Sequence, residues 1–381
     1  MGYKIIKPIR LIELFGGVGS QAMALENIGA NFEHYKLIEF DKFAIKSYNA
    51  IHGTNFETQD ITKINGSDLE IKDTNLYEYI MTYSFPCQDL SLAGKQKGMD
   101  KGSNTRSGLL WEVERLLNEV ENLPQVLLME NVTQVHGKKN KDNFESWLNF
   151  LESKGYSNYW QDLNAKDYGI PQNRNRTFMV SILNTNEIYE FPKSINLQFT
   201  IRDMLELEVD KKFYLSDAQY QRLKNTTYES GKRRIQKKEY CDTLCARDYK
   251  DPKCVVVADS VEKYNRFYSQ AWETLANNEC EEGNTIDAYN KKVNKTGNSP
   301  TITTRPEGFK TAILVVENSK KESKEIYKIR KLTPKECWRL MGFNDIAFEK
   351  AAKINSNSQL YKQAGNSIVV DVLEKIFKQL L

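Results

Sequence analysis

From residue 9 to residue 182 short apolar runs alternate with helical patterns, and that alternation admits few architectures. Residues 10–15, 35–40, 79–85, 126–130 and 177–183 read as strands, while Leu109, Leu110, Val113, Leu116, Leu117 and Val120 recur at helical spacing. Strands separated by helices imply an α/β fold, a doubly wound, mostly parallel sheet whose ligands bind outside the carboxyl ends of the strands. After about Asn184 the pattern breaks into short strands, polar stretches and basic clusters at 232–234, 237–238 and 291–292. From Leu332 it is helical again. The expected division is a first domain over 1–183, a smaller inserted domain over 184–329, and a segment over 330–381 that returns to the first.

With 381 residues, 40% of them hydrophobic, the chain is long enough to bury a large core. No run approaches the ~18 apolar residues of a membrane span, and no apolar signal stretch precedes the first strand, so a cytoplasmic protein without membrane contact is expected. A formal net charge of +3 says little about nucleic acid. The six cysteines (87, 241, 245, 254, 280, 337) suggest reduced thiols. Cys241, Cys245 and Cys254 crowd together, yet no histidine lies near them, so packing is preferred over a zinc site and no metal is expected.

The first strand runs into Gly17-Val18-Gly19-Ser20-Gln21-Ala22, and Glu39 lies 20 residues beyond Gly19. This fits a dinucleotide fingerprint: glycines admit a ligand close to the backbone, and the acid takes ribose hydroxyls. S-adenosylmethionine carries the same ribose without a pyrophosphate. The turn by itself does not separate NAD from that methyl donor.

The remaining chemistry separates them. Cys87 follows an apolar strand in Phe85-Pro86-Cys87-Gln88, Glu130 ends another strand, and Arg174 and Arg176 lie in one segment. Singly, each has a bland reading: a packed small hydrophobe, a helix cap, a solvated edge. Together they describe methylation of cytosine at carbon 5. That carbon becomes nucleophilic only after addition at carbon 6, for which a soft, departing thiolate is suited. An acid at ring nitrogen 3 assists addition, the role read for Glu130, and nearby arginines favour the thiolate. The base must leave the duplex stack to reach such a site.

Across nearly its whole length the chain resembles the DNA (cytosine-5)-methyltransferases of bacteria and phages. The resemblance rests on Leu14-Phe15-Gly16-Gly17-Val18-Gly19-Ser20, Glu39, Asp60-Ile61, Phe85-Pro86-Cys87-Gln88, Glu130-Asn131-Val132 and Gln172-Asn173-Arg174-Asn175-Arg176. It continues through Arg330-Lys331-Leu332-Thr333-Pro334, with Glu336, Arg339, Gly342 and Phe343, to Gly365-Asn366-Ser367. It implies S-adenosylmethionine as donor, held by Phe15 to Ser20, Glu39, Asp60, Ile61, Pro86, Leu109 and Asn366. It also implies that Arg176 contacts the cytosine carbonyl, Arg174 supports the catalytic loop, and residues 184–329 form a target-recognition domain. The first motif departs from the commoner Phe-Ala-Gly-x-Gly-Gly, with Gly16 for Ala and Ser20 for Gly, which bears on donor affinity.

Double-stranded DNA is the expected partner. Gln88 to Arg106 is a long polar connection, a solvated surface loop on the bland reading, and is read as a loop that closes on DNA and offers Gln88, Ser91, Lys95, Lys97 and Arg106. A weak echo, Thr243-Leu244-Cys245-Ala246-Arg247 and Thr301-Ile302-Thr303-Thr304-Arg305, each leading to an apolar strand, nominates Thr243, Arg247, Thr301 and Arg305 as DNA contacts. Two similar strand-turn units explain the echo equally well. Rival classes are an NAD-dependent oxidoreductase, which leaves Cys87 without work, an RNA-directed relative, and a non-enzymatic DNA binder indifferent to loss of Cys87. The expected setting is a monomer paired with a separate restriction endonuclease, or a phage or orphan enzyme.

Overall fold

The computed structural model describes residues 2–90, 97–103, 105–216, 218–219, 235–236, 239–250, 252–258, 285–287, 292–294, 312–314 and 327–381. Its first elements are β1 (Ile9–Leu14), α1 (Ser20–Asn27), β2 (Phe32–Ile38), α2 (Lys42–His52), β3 (Glu78–Tyr83), α3 (Leu110–Glu119), β4 (Val126–Asn131), α4 (Lys141–Ser153) and β5 (Tyr156–Asn164). The strands β6 (Gln172–Asn173), β7 (Asn175–Leu183), β8 (Ile235–Gln236), β9 (Cys241–Asp242), β10 (Cys254–Ala258), β11 (Thr285–Asp287), β12 (Lys292–Asn294), β13 (Ala312–Leu314) and β14 (Tyr327–Lys331) follow. The chain ends in α5 (Pro334–Arg339), α6 (Asp345–Ala352), α7 (Asn357–Asn366) and α8 (Val370–Leu380).

The chain divides into two compact units, Met1–Glu206 with Lys238–Lys253 and Leu332–Leu381, and Leu207–Lys237 with Cys254–Lys331. Residues 184–206 and 238–253 thus group with the first unit, inside the range that the sequence assigns to the insert.

The first unit is built on a six-stranded sheet in the order β2-β1-β3-β4-β7-β5. β1, β2, β3 and β4 pair in parallel, and β7 runs antiparallel to both β4 and β5. All six residues of β3 and of β4 are buried, as expected of central strands covered on both faces. Amphipathic helices supply the cover: α3 buries Leu110, Val113, Leu116 and Leu117, and α8 buries Val372, Leu373, Ile376 and Phe377. Helix α8 packs on α1, so the end of the chain completes the layer that its start began.

Thr333 starts α5 as an N-cap in a capping box with Glu336, and Pro334 takes the first turn, where a missing N–H costs nothing. Arg339 holds Asp345 at the start of α6 through two hydrogen bonds of 2.7 and 2.6 Å. These residues of the C-terminal motif build the fold.

The second unit contains two three-stranded sheets, β14-β10-β8 and β12-β11-β13. β10 pairs antiparallel with β14 and parallel with β8. The two strands of the sequence echo, β10 and β13, lie in different sheets.

Trp147 is fully buried beneath the sheet, its indole N–H 3.1 Å from the Tyr83 hydroxyl and its ring stacked on Phe150. Trp147→Ala is expected to remove about 3–5 kcal/mol of unfolding free energy. Urea denaturation measures it, and a loss below about 1 kcal/mol would contradict this packing.

Candidate active site

The carboxyl ends of β1, β2, β3 and β4 carry the candidate residues, as the doubly wound topology requires. At the end of β1 the backbone turns through left-handed conformations at Phe15, Gly17 and Gly19, with φ of 58°, 59° and 85°. A Cβ on Gly17 would meet nothing within 4 Å, whereas one on Gly19 would lie 2.3 Å from His52 Nε2. The turn therefore has one open face and one closed by α2. Val18 and Ser20 are buried, and Ser20 opens α1.

Glu39 directly follows β2. Its two oxygens accept from Gly17 N–H at 3.0 Å and Asp41 N–H at 2.8 Å, which fixes the carboxylate against the turn. Burial pushes its pKa up, and the two backbone donors oppose the rise. Gln59 N–H donates to the Glu39 carbonyl at 2.8 Å, bringing Asp60 and Ile61 to the same edge. Asp60 accepts from the Thr62 N–H and hydroxyl, which lower its pKa, while Ile61 is buried. Sequence reasoning misses Phe40, which is 75% exposed beside Glu39. The available signal is an aromatic residue directly after the acid.

Beyond β3 the chain passes through Phe85, Pro86 and Cys87. The Asn131 side chain, fully buried at the end of β4, donates to the Phe85 carbonyl at 2.9 Å, and the Ser107 hydroxyl donates to the Pro86 carbonyl at 2.6 Å. These bonds fix the segment that presents the thiol. Leu109, half-buried ahead of α3, packs against the same core. Exposed Arg106 donates to the Gln88 side chain, and its N–H to Asp89 at 2.9 Å, so the two ends of the 88–106 connection meet. Lys97 is exposed. Ser91 and Lys95 lie outside the described residues, as do Thr301 and Arg305.

Glu130 is buried on β4, and Arg176 Nε on β7 lies 3.2 Å from its Oε1. Burial raises the Glu130 pKa, with Arg176 and Arg174 pulling it back. The Cys87 thiol is likewise pushed up by burial and by the Glu130 charge, against the two arginines. Arg174 is buried and held by carbonyls: Nη1 donates to Leu244 at 3.0 Å, and Nη2 to Ser367 at 2.8 Å and Gly365 at 3.3 Å. Burial and the Arg176 charge pull its pKa down to about 10. Thr243, nominated for DNA, donates its hydroxyl to the Asn173 carbonyl at 2.7 Å beside Arg174. Arg247 and Asn366 are exposed, Asn366 as the last residue of α7.

A nucleotide-shaped edge at β1 and β2 next to a thiol, an acid and two arginines at β3, β4 and β7 is the arrangement of a group-transfer enzyme on a doubly wound sheet. Within that class, a family model for C-5 cytosine-specific DNA methylases matches residues 9–381, and the chain belongs to this family. It is 33% identical to the type II methyltransferase M2.ScrFI of Lactococcus lactis subsp. cremoris, covering 98% of this chain and 99% of that one. It is 31% identical to the orphan methyltransferase M.SssI of Spiroplasma monobiae, covering 98% and 97%. The crystal structure of the S. pombe Dnmt2 methyltransferase shares the fold, with a TM-score of 0.63 at 20% identity over 98% of both chains. The protein is a DNA (cytosine-5) methyltransferase of a family that uses S-adenosylmethionine.

The edge at β1 and β2 fits that donor. The Glu39 carboxylate keeps acceptor capacity beyond its bonds from Gly17 and Asp41, the Gly17 face is open, and the Phe40 ring offers a flat apolar surface. Among the described residues no helix is long and apolar enough to cross a membrane.

The charges around Cys87 predict an uncommon mutant effect. Removing the Glu130 charge with Glu130→Gln leaves burial alone opposed by the two arginines, which lowers the thiol pKa and raises the thiolate fraction at neutral pH. Iodoacetamide should label Cys87 faster in this variant and more slowly in Arg176→Ala, by about tenfold where the thiol pKa moves by about one pH unit. Equal rates in all three proteins would show that the Glu130 charge does not act on the thiol.

Proposed function

We propose that Cys87, Glu130, Arg174 and Arg176 carry out the methyl transfer on a cytosine flipped from double-stranded DNA. The observation that carries this reading is the meeting of a fixed thiol, a buried acid and a half-buried arginine at the ends of adjacent strands. Cys87 adds to carbon 6 of the ring, and Glu130 hydrogen-bonds or protonates nitrogen 3, so the electrons displaced by addition enrich carbon 5. Burial favours the neutral carboxyl that donates this proton. Arg176, paired with Glu130, faces the base carbonyl, and Arg174 positions the segment without touching the base.

The donor, when bound, supplies the sulfonium methyl that carbon 5 takes. Phe15 to Ser20, Glu39, Phe40, Asp60, Ile61, Pro86, Leu109 and Asn366 hold it at the β1–β2 edge. Loss of the carbon 5 proton then lets Cys87 leave with its thiolate electrons.

Gln88, Lys97 and Arg106 meet the DNA backbone when the 88–106 connection closes, and residues of the second unit read the sequence. The type II and orphan names of the relatives support either of two settings, a modification enzyme paired with a separate endonuclease or a stand-alone enzyme. A cytoplasmic monomer suits both.

Incubation with S-adenosylmethionine and unmethylated DNA, followed by base-resolution mapping of carbon 5 methylation, tests the assignment. Methylation should fall within one short motif and vanish in Cys87→Ala, with DNA binding retained. Glu130→Gln should lose about 10²–10⁴-fold in rate. Methyl transfer that survives Cys87→Ala would remove the thiol from the mechanism.

A further inference from the structure

Away from the reaction centre, Glu26 on α1, His34 on β2 and His52 on α2 converge, with their ligating atoms all within 4.8 Å of one another. Two of the three histidines in the chain are here. Glu26 Oε1 lies 2.7 Å from His52 Nδ1 and 3.3 Å from His34 Nε2.

The far ring nitrogens decide what those near ones present. His52 Nε2 faces the Val18 carbonyl at 3.2 Å, and a carbonyl only accepts, so the tautomer that satisfies this contact carries its hydrogen on Nε2 and turns the Nδ1 lone pair on Glu26. His34 Nδ1 lies 2.9 Å from the Tyr48 hydroxyl, whose own hydrogen goes to Glu13 at 2.5 Å. Nδ1 then donates to the Tyr48 oxygen, and Nε2 also presents a lone pair. A carboxylate facing two nitrogen lone pairs is repelled unless positive charge sits among them.

The structure assigns that place to a divalent transition metal: we propose that Glu26, His34 and His52 bind Zn²⁺ as a structural staple. Two imidazoles and one carboxylate form a borderline-soft donor set, completed to four by water. Bonds of about 2.0–2.1 Å in a tetrahedron place donors about 3.3 Å apart. The His34–Glu26 spacing already fits, and a small rotation of Glu26 opens the other. Backbone carbonyl and hydroxyl partners behind the rings are what orient metal-ligating histidines. The His52 side chain is fully buried, His34 is 18% exposed and Glu26 36%, so the ion enters from the Glu26 side. One ligand from each of three consecutive elements ties α1, β2 and α2 together. Through His52 and the Val18 carbonyl the ion also braces the glycine turn. Methyl transfer itself requires no metal, and the site is independent of the roles proposed for Cys87 and Glu130.

The test is equilibrium dialysis of chelator-treated full-length protein against Zn²⁺, with metal counted by mass spectrometry and Co²⁺ binding followed by visible absorption. One equivalent is expected at about micromolar affinity or tighter, with tetrahedral-type Co²⁺ bands. His34→Gln and Glu26→Gln should each weaken binding at least about tenfold with an unchanged circular dichroism spectrum. Failure to bind at about 100 μM free Zn²⁺ would overturn the proposal. Binding unaltered by both substitutions would also overturn it, placing the ion elsewhere.

Discussion

A buried guanidinium organises the first unit. Arg174, between β6 and β7, gives its Nη hydrogens to carbonyls of Leu244, Gly365 and Ser367, in two segments far from it in the sequence. Burying such a charge unpaired is costly, so the surrounding backbone must keep those carbonyls in place or leave a cation without partners. Its Nε makes no hydrogen bond, so the compensation falls to the carbonyls and to nearby groups, Glu130 foremost. The backbone around it is correspondingly close. A Cβ on Gly365 would sit 2.2 Å from the Cys245 carbonyl carbon and the Ala246 nitrogen, so only glycine permits α7 to approach. Gln172 adds a second tie, donating to the Leu340 carbonyl at 2.7 Å and accepting from Leu244 N–H at 3.1 Å.

This frame places opposing charges around Cys87. Burial and Glu130 suppress the thiolate while two arginines favour it, and suppression wins in the free protein. Under the proposed roles, hydrogen bonding of Glu130 to the base withdraws one of the two suppressing influences as the target arrives. A thiol that is a poor nucleophile until then is protected from oxidation and alkylation between turnovers. Burial also pushes the Glu130 pKa up, and the two arginines oppose that rise.

Much of this is legible in the sequence. The strands 10–15, 79–85, 126–130 and 177–183 reappear as β1, β3, β4 and β7, because buried strands are written as apolar runs. β5 leaves no such mark: as an edge strand it exposes Trp160, Gln161 and Asp162 and carries no apolar run. The change of pattern near Asn184 suggests an insert boundary, yet residues 184–206 and 238–253 belong to the first unit. They attach through a two-residue strand pairing, β6 with β9, through scattered hydrogen bonds such as Ile195 N–H to the Asp167 carbonyl, and through isolated buried residues such as Tyr189 and Leu244, none of which leaves a periodic trace. Cys87, Glu130 and the arginines are recognisable from their chemistry, whereas the Glu26–His34–His52 cluster is invisible in one dimension because its members sit on three separate elements.

The two departures in the first motif have physical causes in this chain. A Cβ at position 16 would lie 2.3 Å from Leu37 Cδ1 and 3.0 Å from Glu13 Cβ, so alanine there requires the Leu37 side chain to shift. Serine at position 20 is buried, and its hydroxyl accepts from Ile368 N–H at 3.2 Å, joining the turn to the segment after α7. Backbone freedom added at Gly16 is thus countered by a tie at Ser20 and by the wall of Tyr48 and His52 behind Gly19. A turn held from behind and at its far end loses little entropy when its open face takes a ligand. These substitutions therefore adapt the turn to its own neighbours and leave the open face of Gly17 and Glu39 unaltered.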